Sequence, residues 1–273
     1  MKLNANTNLL LGSLLCGTIL VAALLGAVWT PFDPMTPDFA HRLHAPDSTY
    51  WLGTDEFGRD TFSRILYGAT TSVGISFMTV LIAMVAGTVL GLIAGYMRGW
   101  VDRIMMCFTD ALLAFPGILL ALGLLAVVGA NKYGIIVALG IAYLPSVLRL
   151  VRGSVLPLRE REFVHASRIM GNSEIFILFR HILPNCFGPM MVLATSMFGW
   201  VLLAESSLSF LGLGVPPPAP TWGNMLAGSR PFMMQAAWLG IFPGVCISLT
   251  LLGINLLGDA LQDKLDPYSK GKS

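Results

Sequence analysis

From Ala236 to Leu257 the chain runs 22 residues without a single Asp, Glu, Lys, Arg or His, and from Leu9 to Trp29 it runs 21. A helix rising about 1.5 Å per residue crosses the ~30 Å hydrocarbon core of a bilayer in roughly 20 residues, so each run is long enough for one crossing. Four further apolar stretches are read as spans: Val73 to Met97, Ala111 to Val128, Tyr133 to about Leu148, and Phe187 to Leu211. Hydrophobic residues make up 55% of the 273, charged residues only 12%, and the mean hydropathy is +0.73. No soluble domain of this size normally has that balance, and the expectation is an all-α polytopic membrane protein with six transmembrane helices.

The same numbers exclude other classes. A net charge of +2 without a basic run gives nothing for nucleic acid to bind. Cys16, Cys107, Cys186 and Cys246 are scattered in or beside apolar segments without metal-ligand spacing, and read as free packing residues. A cleavable signal peptide is the alternative for the first run. It is disfavoured because only Lys2 precedes the run and Trp29, Pro31 and Phe32 follow where a small-residue cleavage site is wanted.

Between the spans the texture changes. Thr30 to Thr71 carries Pro31, Pro34, Pro37 and Pro46 with five aspartates, and reads as an external loop that includes a short helix near Arg64. This gives an N-terminal segment over 1–71 and a core over 72–273. His41 and His44, at i and i+3 in that loop, are read as solvated surface in preference to metal ligands. In the second span Gly87, Gly91 and Gly95 lie four apart and form a smooth face for close helix approach, inside this chain's own bundle in preference to a subunit interface. Arg98, Asp102 and Arg103 read as a polar turn. Asp110 reads as a nearly solvated carboxylate at the edge of the third span, which Pro116 kinks. Asn131 and Lys132 mark a turn, and Arg149 and Arg152 close the fourth span.

The long polar insert, Glu160 to Pro184, reads as helix, turn, helix. Phe163, Ala166, Ile169 and Met170 recur at helical spacing, Gly171 supplies a left-handed cap, Asn172 or Ser173 caps the second helix with Glu174 in its first turn, and Pro184 interrupts the pattern before the next span. An ordinary amphipathic connector is the alternative.

His165-Ala166-Ser167, Gly171 and His181-Ile182-Leu183-Pro184, separated by three and nine residues, resemble the Glu-Ala-Ala loop of ATP-binding-cassette importer membrane subunits. They depart from it at His165, Ser167 and His181. Trp51-Leu-Gly-Thr-Asp-Glu-Phe-Gly-Arg-Asp-Thr-Phe-Ser-Arg64 is similar to a signature of the dipeptide, oligopeptide and nickel importer permeases, in their second-permease branch. So are Phe115-Pro116, Ala204-Glu-Ser-Ser-Leu-Ser-Phe-Leu-Gly-Leu-Gly214 and the tail Asn255 to Pro267. The resemblance implies a type I importer permease fold with a cytoplasmic coupling loop over 153–185, and an ATPase-coupling role for Glu162, Ala166, Ser167, Gly171, Leu183 and Pro184. It further implies a sister permease, two cytoplasmic ATPase subunits that bind ATP and Mg, an external solute-binding protein, and the inner membrane of a bacterium. No cofactor is expected in this chain. Dipeptides or oligopeptides are the expected cargo, with nickel or a metal chelate as the alternative.

Orientation rests on charge. With six spans and both termini inside, twelve Lys and Arg fall inside and five (Arg42, Arg59, Arg64, Lys132, Arg230) outside, as the positive-inside rule requires. No Gly-x-x-x-x-Gly-Lys-Ser/Thr, His-Glu-x-x-His or Gly-x-Ser-x-Gly is present, so the chain reads as a transport subunit and not an enzyme; a passive channel would need no docking loop. Glu205 stands inside the fifth span near its external end. It is read as an outer ion pair with Arg59, Arg64 or Arg230, in preference to a gate or cargo contact.

Overall fold

A computed structural model describes residues 5–265; Lys2, Lys270, Lys272 and the end of the tail motif, Asp266 and Pro267, lie outside the described residues. The chain is helical almost throughout, with one isolated antiparallel bridge between Thr54 and Asp60 among the described residues. Its helices are α1 Ala5–Val28, α2 Thr61–Met97, α3 Gly99–Leu113, α4 Gly117–Val128, α5 Lys132–Leu158, α6 Glu162–Ile169, α7 Glu174–Ile177, α8 Leu183–Phe210, α9 Trp222–Gly228 and α10 Trp238–Leu265. Five helical stretches are long and apolar enough to cross a membrane, and α3 with α4, bent by 92° at their junction, supply a sixth if counted as one broken span.

Three boundaries differ from the sequence reading. The external loop ends at Asp60, and the expected separate short helix is the first three turns of α2, a single 37-residue helix. Asp60 starts it, accepting from the Ser63 N–H at 2.8 Å and the Ser63 hydroxyl at 2.6 Å. Its polar first turns escaped notice because Thr61, Ser63, Arg64, Thr71 and Ser72 look wet in sequence, yet all are buried by other parts of the chain. Secondly, Arg98, Asp102 and Arg103 are not a turn: Arg98, at φ 56°, breaks the chain direction and α3 begins at the next residue. Thirdly, α5 does not close at Arg149 and Arg152 but continues through Pro157 to Leu158. The third span is also broken where a kink was expected. Pro116 lacks an N–H and disfavours helix at Phe115, so α3 and α4 are separate rods.

The largest interface joins α2 to α5. A Cβ at Gly87 would lie 2.6 Å from Val147 Cβ, at Gly91 2.8 Å from Val151 Cβ, and at Gly95 2.8 Å from Val155 Cβ. Three glycines thus meet three valines in register, within this chain. In hydrocarbon no apolar driving force brings helices together, so close van der Waals fit of this kind is what holds such a pair. Around this slab α8 packs against both helices through Met190, Met197 and Val201, while α1 lies outside against α10 and α2. The outward face of α1, with Leu10, Leu14, Val21 and Leu24 exposed, suits lipid.

Candidate functional site

At one end of the bundle the insert folds as the helix-turn-helix its pattern predicts. Helix α6 ends in a Schellman motif: Gly171 takes φ 79°, its N–H donates to the Arg168 carbonyl at 3.0 Å, and the Asn172 N–H donates to the Ser167 carbonyl at 3.3 Å. Asn172 also donates from Nδ2 to the Ser167 hydroxyl at 3.0 Å, which gives this buried hydroxyl a partner. Ser173 caps α7 by accepting from the Phe176 N–H. Pro184 does not interrupt the helix: it occupies the first turn of α8, which follows α7 through a π-helical stretch, Leu178–Ile182, that absorbs the change of register.

The two faces of α6 differ in use. Val164 and Ser167 point into this chain and are buried, whereas Phe163, Ala166, Ile169 and Met170, the apolar set read from the sequence, are exposed, Ile169 at 87%. Glu162 is exposed in the first turn, Leu183 half-buried and Pro184 exposed. Ile175, Phe176 and Phe179 extend the exposed apolar surface beyond the turn. An amphipathic helix normally turns its apolar side to its own core; here that side faces away.

Charged side chains anchor this unit to the bundle. Arg159 donates from Nη1 to the Tyr96 carbonyl at 2.5 Å and lies over the Tyr96 ring, and Arg168 donates from Nη2 to the Tyr96 hydroxyl at 3.0 Å while its Nε reaches Glu174 at 3.2 Å. Arg98 meets Glu160 at 3.4 Å. Beside this unit, two further pairs tie α5 to α3: Arg152 donates from Nη2 to Asp102 at 2.8 Å, and Arg149 meets Asp110 at 2.5 Å. Asp110 is exposed, as a nearly solvated carboxylate at the edge of the span should be, and it has Arg149 of α5 as a partner.

The opposite end is closed by the loop 29–60 and the segment 211–237. Asp55, Arg59 and Arg64 form a buried triad: Arg59 Nε lies 2.7 Å and Arg64 Nε 3.3 Å from the same carboxylate oxygen, and Arg64 also donates to the Pro34 carbonyl at 2.8 Å. Burial holds the neighbouring Glu56 carboxyl above its ordinary range. Trp222, which opens α9, donates from its backbone N–H to the Ser72 hydroxyl and from Nε1 to the Ile65 carbonyl, both at 3.1 Å. His41 Nδ1 is engaged by Asp38 at 2.7 Å, and both histidine rings pack on Tyr50. No group of three metal-ligating side chains occurs among the described residues.

Glu205 corrects an expectation. It makes no pair with Arg59, Arg64 or Arg230: the first two are taken by Asp55, and Arg230 donates to the Phe210 carbonyl at 2.9 Å. Glu205 is fully buried on the inward side of α8 and accepts from the Ser209 hydroxyl at 2.9 Å. Thr221 is the other side chain that bears on the carboxyl, and Oε2 itself has no partner within hydrogen-bond distance. Position along the helix was legible in the sequence, but rotation about its axis was not.

Residues 87–270 match the family described as the binding-protein-dependent transport system inner membrane component. The chain belongs to this family. It is 41% identical to a dipeptide transport system permease protein of Alkalihalophilus pseudofirmus, over 98% of this chain and 88% of that one. It is 46% identical to a glutathione transport system permease protein of Pectobacterium atrosepticum, over 85% of this chain and 77% of the relative. A methionine importer solved in inward-facing form shares the fold, with a TM-score of 0.61 at 18% identity, covering 74% of this chain and 96% of that one. This chain is therefore an ATP-binding-cassette importer permease, a multi-pass protein of the inner membrane.

For such a permease, sequence reasoning missed Tyr96 and Trp222. Tyr96 stands at the end of an apolar span, where an aromatic residue ordinarily signals only the membrane interface. Trp222 lies in a proline-rich segment that gave no sign of packing on residues 150 positions earlier.

Proposed function

We propose that this permease imports short peptides, of dipeptide to glutathione size, in partnership with a sister permease. One of two ATPase subunits would dock on α6, the other on the sister permease, and an external binding protein would deliver cargo to the opposite end. The observation that carries this reading is the outward-turned apolar face of α6, Phe163, Ala166, Ile169 and Met170, on a helix held rigidly by its own cap and by Tyr96. A surface of that kind fits a cleft on another protein. ATP and Mg belong to the ATPase subunits.

Charge supports placing the α6 end in the cytoplasm: nine of the twelve Lys and Arg assigned inside lie among the described residues, against five assigned outside. The ion pairs Arg98–Glu160, Arg149–Asp110 and Arg152–Asp102, with Arg159 and Arg168 on Tyr96, put five of these nine at one end. An open groove of about 460 Å³ between α5, α8 and α10, bordered by Pro189, Ser196, Trp200 and Gln262, gives cargo a face to pass along against the sister subunit. Peptide is favoured over nickel because the relatives named above are dipeptide and glutathione permeases.

Uptake of labelled dialanine, glutathione and nickel in cells with and without this chain tests the reading. Loss of peptide or glutathione uptake alone supports it, and loss of nickel uptake alone overturns the cargo assignment.

A further inference from the structure

We infer that Tyr96 is the joint through which displacement of α6 reaches α2, and that α2 carries it as a stiff rod to the cap at the other end of the bundle. The inference rests on the proposal that α6 receives the ATPase.

Three observations meet at Tyr96. Arg168 bridges three elements at once, donating to the Tyr96 hydroxyl at 3.0 Å from α6 and to Glu174 of α7 at 3.2 Å. Arg159, at the end of α5, holds the Tyr96 carbonyl and covers its ring. Val164 and Ser167 of α6 are buried, and Arg168 is the α6 side chain that hydrogen-bonds α2. A hydrogen bond from a charged donor is stronger and more directional than a neutral one.

Beyond Tyr96 the architecture suits transmission. Helix α2 runs 37 residues without proline, about 55 Å at ~1.5 Å per residue. By contrast, α5 contains Pro145 and Pro157, α8 Pro189, and α10 Pro243, each a place where a helix can bend. The Gly87, Gly91 and Gly95 ladder binds α2 to α5, so the two move as one body. Two residues past Tyr96, Arg98 sits at φ 56°, a conformation costly for a side-chain-bearing residue, and the chain breaks there into α3. Motion at Tyr96 is thereby directed along α2 and not around the corner. At the far end α2 holds Trp222 through Ser72 and Ile65, so a shift of the rod moves the α9 cap. Tyr96 touches no cargo; it is a positioning residue for the coupling step.

The test uses the complete complex reconstituted in proteoliposomes, with labelled dialanine or glutathione, whichever the wild type imports. Ile169→Cys, exposed on α6, is first cross-linked to the ATPase to establish docking. Tyr96→Phe, which removes only the hydroxyl, is expected to leave assembly and the ATPase rate within about twofold while cargo imported per ATP falls about tenfold, the effect of losing a hydrogen bond to a charged donor. Arg168→Gln gives the same loss, and the double variant is no worse than either single. Docking that is intact with an unchanged cargo-to-ATP ratio in Tyr96→Phe overturns this inference alone. A parallel fall of ATPase and import also overturns it. No cross-link from Ile169→Cys in the otherwise unaltered chain overturns the docking proposal and this inference with it.

Discussion

Replacing Gly91 with alanine puts a methyl group where α2 and α5 touch. Its Cβ would lie 2.8 Å from the Leu148 carbonyl oxygen and 2.8 Å from Val151 Cβ, and no rotamer change can move either atom. Ordinary carbon contacts are about 3.5–4.0 Å, so the helices must separate by roughly 0.7 Å. Taking about a dozen contacts for each of the three valines at ~0.15 kcal/mol, and a loss of about a third of each, the separation costs about 2 kcal/mol, within the usual range for overpacking. The gain in helix propensity from Gly to Ala, about 1 kcal/mol, partly offsets this. The control is Gly123→Ala on α4, where a Cβ meets nothing within 4 Å and only the propensity gain applies. Thermal midpoints of the full chain, followed by size exclusion of a fluorescent fusion in detergent, should place Gly91→Ala several degrees below Gly123→Ala. Adding Val151→Ala removes only the γ carbons, the nearer at 3.1 Å, and should recover only a small part of the difference, since the Leu148 carbonyl and the Cβ of residue 151 both remain. Equal midpoints for the two single variants would refute the ladder as the link between α2 and α5.

Gly171→Val is expected to abolish cargo uptake while the protein still inserts at normal levels. It forces a β-branched residue to φ 79° at a cost of roughly 1–2 kcal/mol, and uptake set against membrane abundance checks it. Arg64→Met should lower stability by about 3 kcal/mol or more and reduce yield, because the buried Asp55 carboxylate then keeps a single cation, and the thermal midpoint reads this. Glu205→Gln keeps an acceptor for Ser209 and should be mild, whereas Glu205→Leu should lose about 1–2 kcal/mol and loosen the segment around Thr221, seen as faster proteolysis there. Asp47 is held below its ordinary range chiefly by the Tyr50 N–H. Its contribution is therefore present above pH about 3.8 and lost as pH falls through its depressed value, so limited proteolysis of the 29–60 loop should accelerate only below pH about 4.

Much of this architecture could be read before any coordinates. Charge-free runs marked the crossings at Leu9 to Trp29 and Ala236 to Leu257, and the glycine spacing marked a close helix contact, because bilayer thickness and helix geometry leave few solutions. The turn at Gly171 was equally legible, since a helix cap of that kind needs a left-handed residue. What failed did so where polar residues are buried by distant parts of the chain. Arg64 and Ser72 look like loop residues until the Pro34 carbonyl and Asp55 are seen on the first and Trp222 on the second. Glu205 shows the same limit: spacing placed it near the end of a span, but only the packing of α8 shows that it faces inward to Ser209. The outward apolar face of α6 was visible as a pattern, yet its direction was not.

The most direct test of the account is import into proteoliposomes holding this chain with its sister permease and ATPases. ATP is supplied on the α6 side, and the binding protein with labelled dialanine or glutathione on the other. The account predicts accumulation toward the α6 side only when ATP is present, and none when this chain is left out. Equilibration of cargo without ATP, stopping at equal concentrations, would contradict it and make the chain a passive channel.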